Sequence, residues 1–292
     1  MNGLNQMSLS FKSFGLSDIG LTRPNNEDEW VALPEIGFFA LADGMGGHQA
    51  GEIAAKEALE NLCLSARDIK STDCVELIID LKDAIEKANQ WVYQLGRETT
   101  SLNGMGTTLC CLMWTRELIV YAHVGDSRIY RLRDQKLELL TRDHSLFSKW
   151  LSRGKSDECE TPFPYKNVIT RAIGTARRAN PEIAVSPPIK GDLYFLCSDG
   201  LSDVLSIEEM EIILNRSPDH EIAARRLIQK AKIKGSSDNM TILIVQSENK
   251  DVIVDTHDDI SKDKNLFRQQ RDDSPRSESI QSDVGRFERS PS

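Results

Sequence analysis

The sequence predicts an α+β layered domain with a largely antiparallel sheet, and three observations carry that reading. Short β-like strings follow one another in hairpin-like succession, with helical stretches in pairs rather than one after every strand. A doubly wound parallel fold would need a helix after nearly every strand. Apolar residues make up 39% of the 292 positions, enough for a sizeable core, and charged residues a further 28%.

Residues 37–42, Gly-Phe-Phe-Ala-Leu-Ala, form a short apolar run of strand length. After Gly51, Ala54, Ala55, Ala58, Leu59 and Leu62 recur at helical steps, and from about Asp73 a second stripe carries Val75, Leu77, Ile78, Leu81, Ile85, Ala88 and Val92. Strands are then expected at 107–113, 118–124, 128–132, 192–197 and 240–245, with helices at 207–214 and 220–232 before the last of them. Ser217-Pro218 reads as the start signal of the later helix. The segment 104–108 reads as a tight turn into a core strand, because it lacks the Gly-Lys-Ser/Thr of a P-loop.

Composition changes near Glu248. Residues 250–292 hold eight basic and ten acidic side chains with few large apolar ones, so 249–292 is expected to be a disordered tail and 1–248 a single domain. The whole chain carries a formal −9 and the tail −2, which leaves −7 on the domain. An acidic balance argues against a nucleic-acid backbone binder. The six cysteines show no C-x-x-C pair and several sit in apolar strings, as in reduced, cytoplasmic proteins. Met1 to Ser17 shows no signal-peptide pattern and no run suggests a membrane span. Export by a signal-less route is the alternative to the cytoplasm.

The acidic residues are patterned. Asp43-Gly44, Asp126-Ser127, Asp199-Gly200 and Asp238-Asn239 are read as the ends of apolar strands. Each alone is an ordinary turn signal. Four together would gather carboxylates at one sheet edge, where they repel one another unless cations neutralise them. Hard divalent cations such as Mg²⁺ or Mn²⁺ suit oxygen ligands. A fifth segment sets Arg23 a few residues before Glu27 and Asp28. It reads either as a phosphate clamp or as a surface loop with a local ion pair.

Eight blocks occur in order: Arg23-x-x-Asn26-Glu27-Asp28, Phe39-Ala-Leu-Ala-Asp43-Gly44-Met-Gly46-Gly47-His48, Gly104-Met-Gly106-Thr107-Thr108, Val124-Gly125-Asp126-Ser127-Arg128, Thr141-Arg-Asp143-His144-Ser145, Thr170-Arg171-Ala172-Ile-Gly174, Leu196-Cys-Ser198-Asp199-Gly200-Leu201 and Ser237-Asp238-Asn239-Met-Thr241. Over about residues 10–247 the chain resembles the metal-dependent protein phosphatase 2C family in its short bacterial form. The resemblance implies a four-layer αββα sandwich, two mainly antiparallel sheets flanked by helix pairs, with a metal site at one end.

It also implies roles. Asp43 would bridge two Mn²⁺ or Mg²⁺ ions, helped by the Gly44 carbonyl; Asp199 and Asp238 would hold the second ion. Glu27 or Asp28 would complete the shell, and Asp126 would join Asp199 in a weaker third site. Arg23 would clamp the phosphoryl group. Many members place a His directly after the Asp-Gly; Met45 stands there, and His48 is the candidate general acid, with a cap or anion contact as its alternative. His144, in a strand-to-helix turn, reads as structural. Residues 146–168 fall where members carry a mobile flap. The implied activity is hydrolysis of phosphoserine and phosphothreonine in proteins, by a monomer that opposes a Ser/Thr kinase, with neither nucleic acid nor membrane as partner. The alternative is an inactive, phosphatase-like scaffold; the presence of Asp43, Asp199 and Asp238 argues against it.

Overall fold

The computed structural model describes residues 10–46, 50–153, 165 and 168–248. The expected tail, His48 and most of the 146–168 segment lie outside the described residues. Eleven strands and six α-helices are described in the chain order β1 (Phe11–Asp18), β2 (Asp28–Leu33), β3 (Phe38–Met45), α1 (Ala50–Asp68), α2 (Cys74–Glu98), β4 (Gly106–Thr107), β5 (Leu109–Trp114), β6 (Ile119–Val124), β7 (Arg128–Arg133), β8 (Lys136–Leu139), α3 (Leu146–Leu151), β9 (Glu182–Ser186), β10 (Leu193–Cys197), α4 (Asp199–Ser202), α5 (Ile207–Arg216), α6 (His220–Ile233) and β11 (Met240–Ser247).

The strands form two sheets, ordered β1-β11-β10-β7-β8 and β2-β3-β5-β6-β9, with β4 attached to β3. Every pairing is antiparallel. Side chains alternate across a strand, so the continuous apolar run of β3 serves two cores. Phe38, Ala40 and Ala42 pack against α1 and α2. Phe39 and Leu41 turn the other way, into a layer shared with Leu112, Trp114, Tyr194, Leu196, Leu243 and Val245 of both sheets. Edge-to-face contacts fix that layer, with Trp114 and Tyr194 ring centroids 5.2 Å apart. The outer face of the first sheet buries Phe195, Ile242 and Ile244 against Leu227, Ile228 and Ala231 of α6. Helix, sheet, sheet and helix thus form the expected four layers.

Local chemistry explains the helix boundaries. Asp73 caps α2 by accepting from the Val75 and Glu76 amides at 2.9 and 3.1 Å. Ser206 and Glu209 form a capping box at α5. Asp219, rather than Ser217-Pro218, caps α6 by accepting from Ile222 at 2.8 Å. Ala54, Ala55 and Ala58 let α1 approach β3 closely.

Two expectations need correction. The 107–113 strand is broken: β4 ends at Thr107 and β5 begins at Leu109, because Thr108 turns its hydroxyl and amide toward Asp43 instead. Strands β1, β2, β8 and β9 were not expected. No helix among the described residues is long and apolar enough to cross a membrane, and Cys63, Cys110, Cys111 and Cys197 are free thiols.

Candidate active site

Acidic side chains from both sheets meet at one end of the sandwich, not at one sheet edge. Asp28 opens β2 directly opposite Asp43 on β3. Asp43 and Gly44 lie within β3 rather than after it. The Gly44 amide donates to the Glu27 carbonyl at 3.0 Å. A Cβ on Gly44 would overlap the carbonyl oxygens of Gly51 and Glu27, so only glycine lets β3, the preceding turn and α1 meet there.

Asp126 sits in the turn that carries the chain from β6 in one sheet to β7 in the other. Asp199 is the first residue of α4, directly after β10. Asp238 lies in the turn after α6, two residues before β11, so it leads into a strand instead of ending one.

A polar scaffold not foreseen from the sequence fixes these positions. The Thr108 amide donates to the Asp43 carbonyl at 2.8 Å, and the Thr108 hydroxyl accepts from the Asp43 amide at 2.9 Å. That hydroxyl also lies 2.7 Å from the Ser127 hydroxyl, which links β3 at Asp43 to the Asp126 turn. Ser198 donates to Asp28 Oδ2 at 2.8 Å and accepts from the Thr241 amide at 2.9 Å. Asn239 accepts from the Glu27 amide at 2.9 Å, and its side-chain NH₂ donates to the Ile19 and Asn25 carbonyls at 2.9 and 3.0 Å. The available signal was the small polar neighbour of three aspartates, Ser127, Ser198 and Asn239; Thr108 has none.

The electrostatics follow from the packing. Burial, then the charges of Asp28, Asp199, Asp126 and Asp238, hold the Asp43 carboxyl well above the usual carboxylate range. Burial first, then Asp126, Asp203, Asp238 and Asp28, pushes Asp199 up to about 8. Asp28 rises to about 6 through burial, opposed by hydrogen bonds from Thr241 and Ser198. Asp126 also rises to about 6, through burial and then Asp143. Asp203, absent from the sequence reading, adds to this field.

Buried oxygens on Asp28, Asp126 and Asp199 have no hydrogen-bond partner. Buried anions without donors or counter-charges are costly, so this donor set fits hard divalent cations. Of the adjacent pair, Asp28 lies inside the cluster. Glu27 lies at its edge, where its carboxylate accepts from Asn25 at 3.1 Å and borders Gly51 at the start of α1. Arg23 reaches the rim and donates to Asp238 Oδ2 at 2.6 Å, with half its side chain exposed. Asp238, Glu27 and Asp199 raise its pKa, the hydrogen bond to Asp238 being the largest cause.

A second cluster, His123, His144 and Glu182, could formally bind a metal, since its ligand atoms lie within 4.8 Å of one another. Arg171 already supplies the cation there, at 3.1 Å from His144 Nε2 and 3.3 Å from Glu182. His123 Nε2 is committed to the Arg142 carbonyl at 2.8 Å.

Residues 24–231 match the family model described as protein phosphatase 2C. The chain is 34% identical over 241 residues to the protein phosphatase PhpP of Streptococcus pneumoniae serotype 2, spanning 81% of this chain and 97% of that protein. It resembles the crystal structure of the Mycobacterium tuberculosis serine/threonine phosphatase PstP/Ppp with a TM-score of 0.74 and 33% identity, over 82% of this chain and 99% of that one. The catalytic domain of the serine threonine protein phosphatase PstP in complex with two manganese ions matches with a TM-score of 0.73 and 33% identity, over 83% of this chain and all of that one. With this fold, this carboxylate end and similarity over most of its length, the chain belongs to the protein phosphatase 2C family of bacterial Ser/Thr phosphatases.

Proposed function

We propose that this chain hydrolyses phosphoserine and phosphothreonine in proteins, using two divalent cations, Mn²⁺ or Mg²⁺, at the carboxylate end of the sandwich. The observation that carries this reading is the set of buried, unpartnered oxygens on Asp28, Asp126 and Asp199 beside the raised Asp43 carboxyl. Asp43 would face both ions with the Gly44 carbonyl beside it, and Asp199 and Asp238 would hold the second. Asp28 would complete the shell, with Glu27 at its margin, and Asp126 with Asp199 would hold a weaker third ion. The two manganese ions bound by the similar PstP domain support this set. Bound there, the ions would supply Lewis acidity that lowers the pKa of water and neutralises phosphoryl charge.

The protein's own groups do the rest. The Thr108, Ser198 and Asn239 hydrogen bonds hold the carboxylates in a fixed array, which reduces reorganisation during the reaction. Arg23 exchanges its Asp238 partner for phosphoryl oxygens, where a planar fork suits bidentate binding. His48 is proposed from the sequence as the group that returns a proton to the leaving alkoxide. Residues 1–248 would form the catalytic domain and 249–292 a tail. The partners would be phosphorylated proteins and a Ser/Thr kinase that the enzyme opposes.

Hydrolysis of a phosphothreonine peptide with and without Mn²⁺, by wild type and Asp199→Ala, tests the reading. Metal-dependent turnover that EDTA abolishes and the substitution nearly removes is expected. Metal-independent turnover, or none from folded wild type with Mn²⁺, refutes it.

A further inference from the structure

We propose that His144 is a positioning residue that holds the Asp126 turn in the geometry the acidic centre needs. The turn from Gly125 to Arg128 carries Asp126 between the two sheets. Two adjacent residues grip its two ends. His144 donates its backbone N–H to the Gly125 carbonyl at 2.9 Å and accepts the Gly125 N–H on ring Nδ1 at 3.1 Å. Asp143 accepts from Arg128 Nε and Nη2 at 2.9 and 2.7 Å.

Gly125 has φ +105°, a conformation that side chains resist, and a Cβ there would meet the Thr108 side chain at 2.7 Å. It is therefore wedged between Thr108 and the His144 ring. Nδ1 accepts the Gly125 N–H, and Nε2 lies 3.2 Å from Glu182 and 3.1 Å from the Arg171 guanidinium. The ring also stacks on His123 with centroids 4.5 Å apart, and only 5% of His144 is exposed. Its carbonyl accepts from the Thr170 amide and hydroxyl at 2.6 and 3.0 Å. An imidazole braced on four sides fixes the direction in which the next residue, Asp126, leaves the turn.

The inference rests on the phosphatase reading through Asp126. The test titrates Mn²⁺ into the full chain by calorimetry and measures phosphothreonine-peptide turnover against Mn²⁺ concentration. The variants are wild type, His144→Leu, His144→Asn, Glu182→Gln, Asp126→Asn and the Asp126→Asn/His144→Leu double variant.

We expect His144→Leu to weaken the loosest Mn²⁺ step and raise the Mn²⁺ needed for half-maximal turnover about tenfold, as loss of an outer-shell partner does. The peptide KM at saturating Mn²⁺ should stay within about twofold of wild type. His144→Asn keeps a side-chain oxygen near the Nδ1 position and should recover most of the loss. The double variant should be no worse than Asp126→Asn, because both changes act through one carboxylate. Glu182→Gln, on a half-exposed side chain, should shift Mn²⁺ dependence in the same direction and by less, and it keeps the test open should His144→Leu fail to fold.

Additive losses in the double variant, or unchanged Mn²⁺ binding in both folded His144 variants, would overturn the proposal. So would unchanged binding in Glu182→Gln if the leucine variant does not fold. Wild type that lacks Mn²⁺-dependent turnover would refute the phosphatase reading instead, a separate outcome.

Discussion

Replacing Asp199 with asparagine should make the metal-free protein more stable at alkaline pH while removing its activity. In the folded chain burial and four neighbouring carboxylates raise Asp199 from 3.8 to about 8. A raised carboxyl pKa means the folded state binds the proton more tightly than the unfolded chain. Stability is therefore complete below about pH 4 and falls as pH rises through 8. The full shift corresponds to roughly 5 kcal/mol at pH 8 and above. Burial is its largest cause, and an asparagine amide bears part of that burial cost too. Recovery of about 2–3 kcal/mol is therefore expected, a rise of roughly 5–10 °C in Tm for a domain of this size. Differential scanning calorimetry in EDTA at pH 5 and pH 8, on wild type and Asp199→Asn, reads it directly. The variant should melt higher than wild type at pH 8, with a smaller gap at pH 5. Equal melting temperatures at pH 8, or a variant less stable there, would refute the view that repelling buried carboxylates strain the metal-free fold.

Two further outcomes follow from the same field. Asp28 and Asp126, near 6, and Asp43, held well above the usual carboxylate range, are shifted in the same sense as Asp199, so Mn²⁺ should raise Tm more at pH 8 than at pH 5; an equal rise at both would contradict it. Arg23→Ala should raise the phosphopeptide KM about tenfold, the worth of one charge-assisted hydrogen bond, with a smaller change in kcat, as measured by steady-state kinetics. Unchanged KM and kcat would make Arg23 a partner of Asp238 alone.

The strands that the sequence revealed are largely those buried on both faces, and the ones it hid lie at the edges. β3, β5, β6, β10 and β11 carry long apolar runs because each serves two cores. β1, β8, β2 and β9 terminate the two sheets, and their sequences mix apolar with exposed polar residues, as in Phe-Lys-Ser-Phe-Gly-Leu-Ser-Asp of β1. An edge strand half in water leaves no continuous apolar signal.

The acidic site was legible as a list of residues but not as a place. Asp238 reads like a strand end in the sequence, yet it lies in the turn between α6 and β11. Asp203 and Thr108 carry no turn signature, and only the fold brings them to the cluster. Asp28 could be separated from Glu27 only through its register opposite Asp43.

Whether these carboxylates form a cage for two divalent cations is read by a calorimetric Mn²⁺ titration of metal-free protein near pH 7. Run in buffers of different ionisation enthalpy, it also counts protons. With Asp199 titrating near 8, its carboxyl is largely protonated at that pH before metal enters, and burial beside four other carboxylates holds Asp43 well above the usual carboxylate range. Two tight Mn²⁺ ions per chain are expected, with release of at least about one proton, fewer when Asp199 is replaced by asparagine. A single ion, or two bound with no proton released, would contradict it.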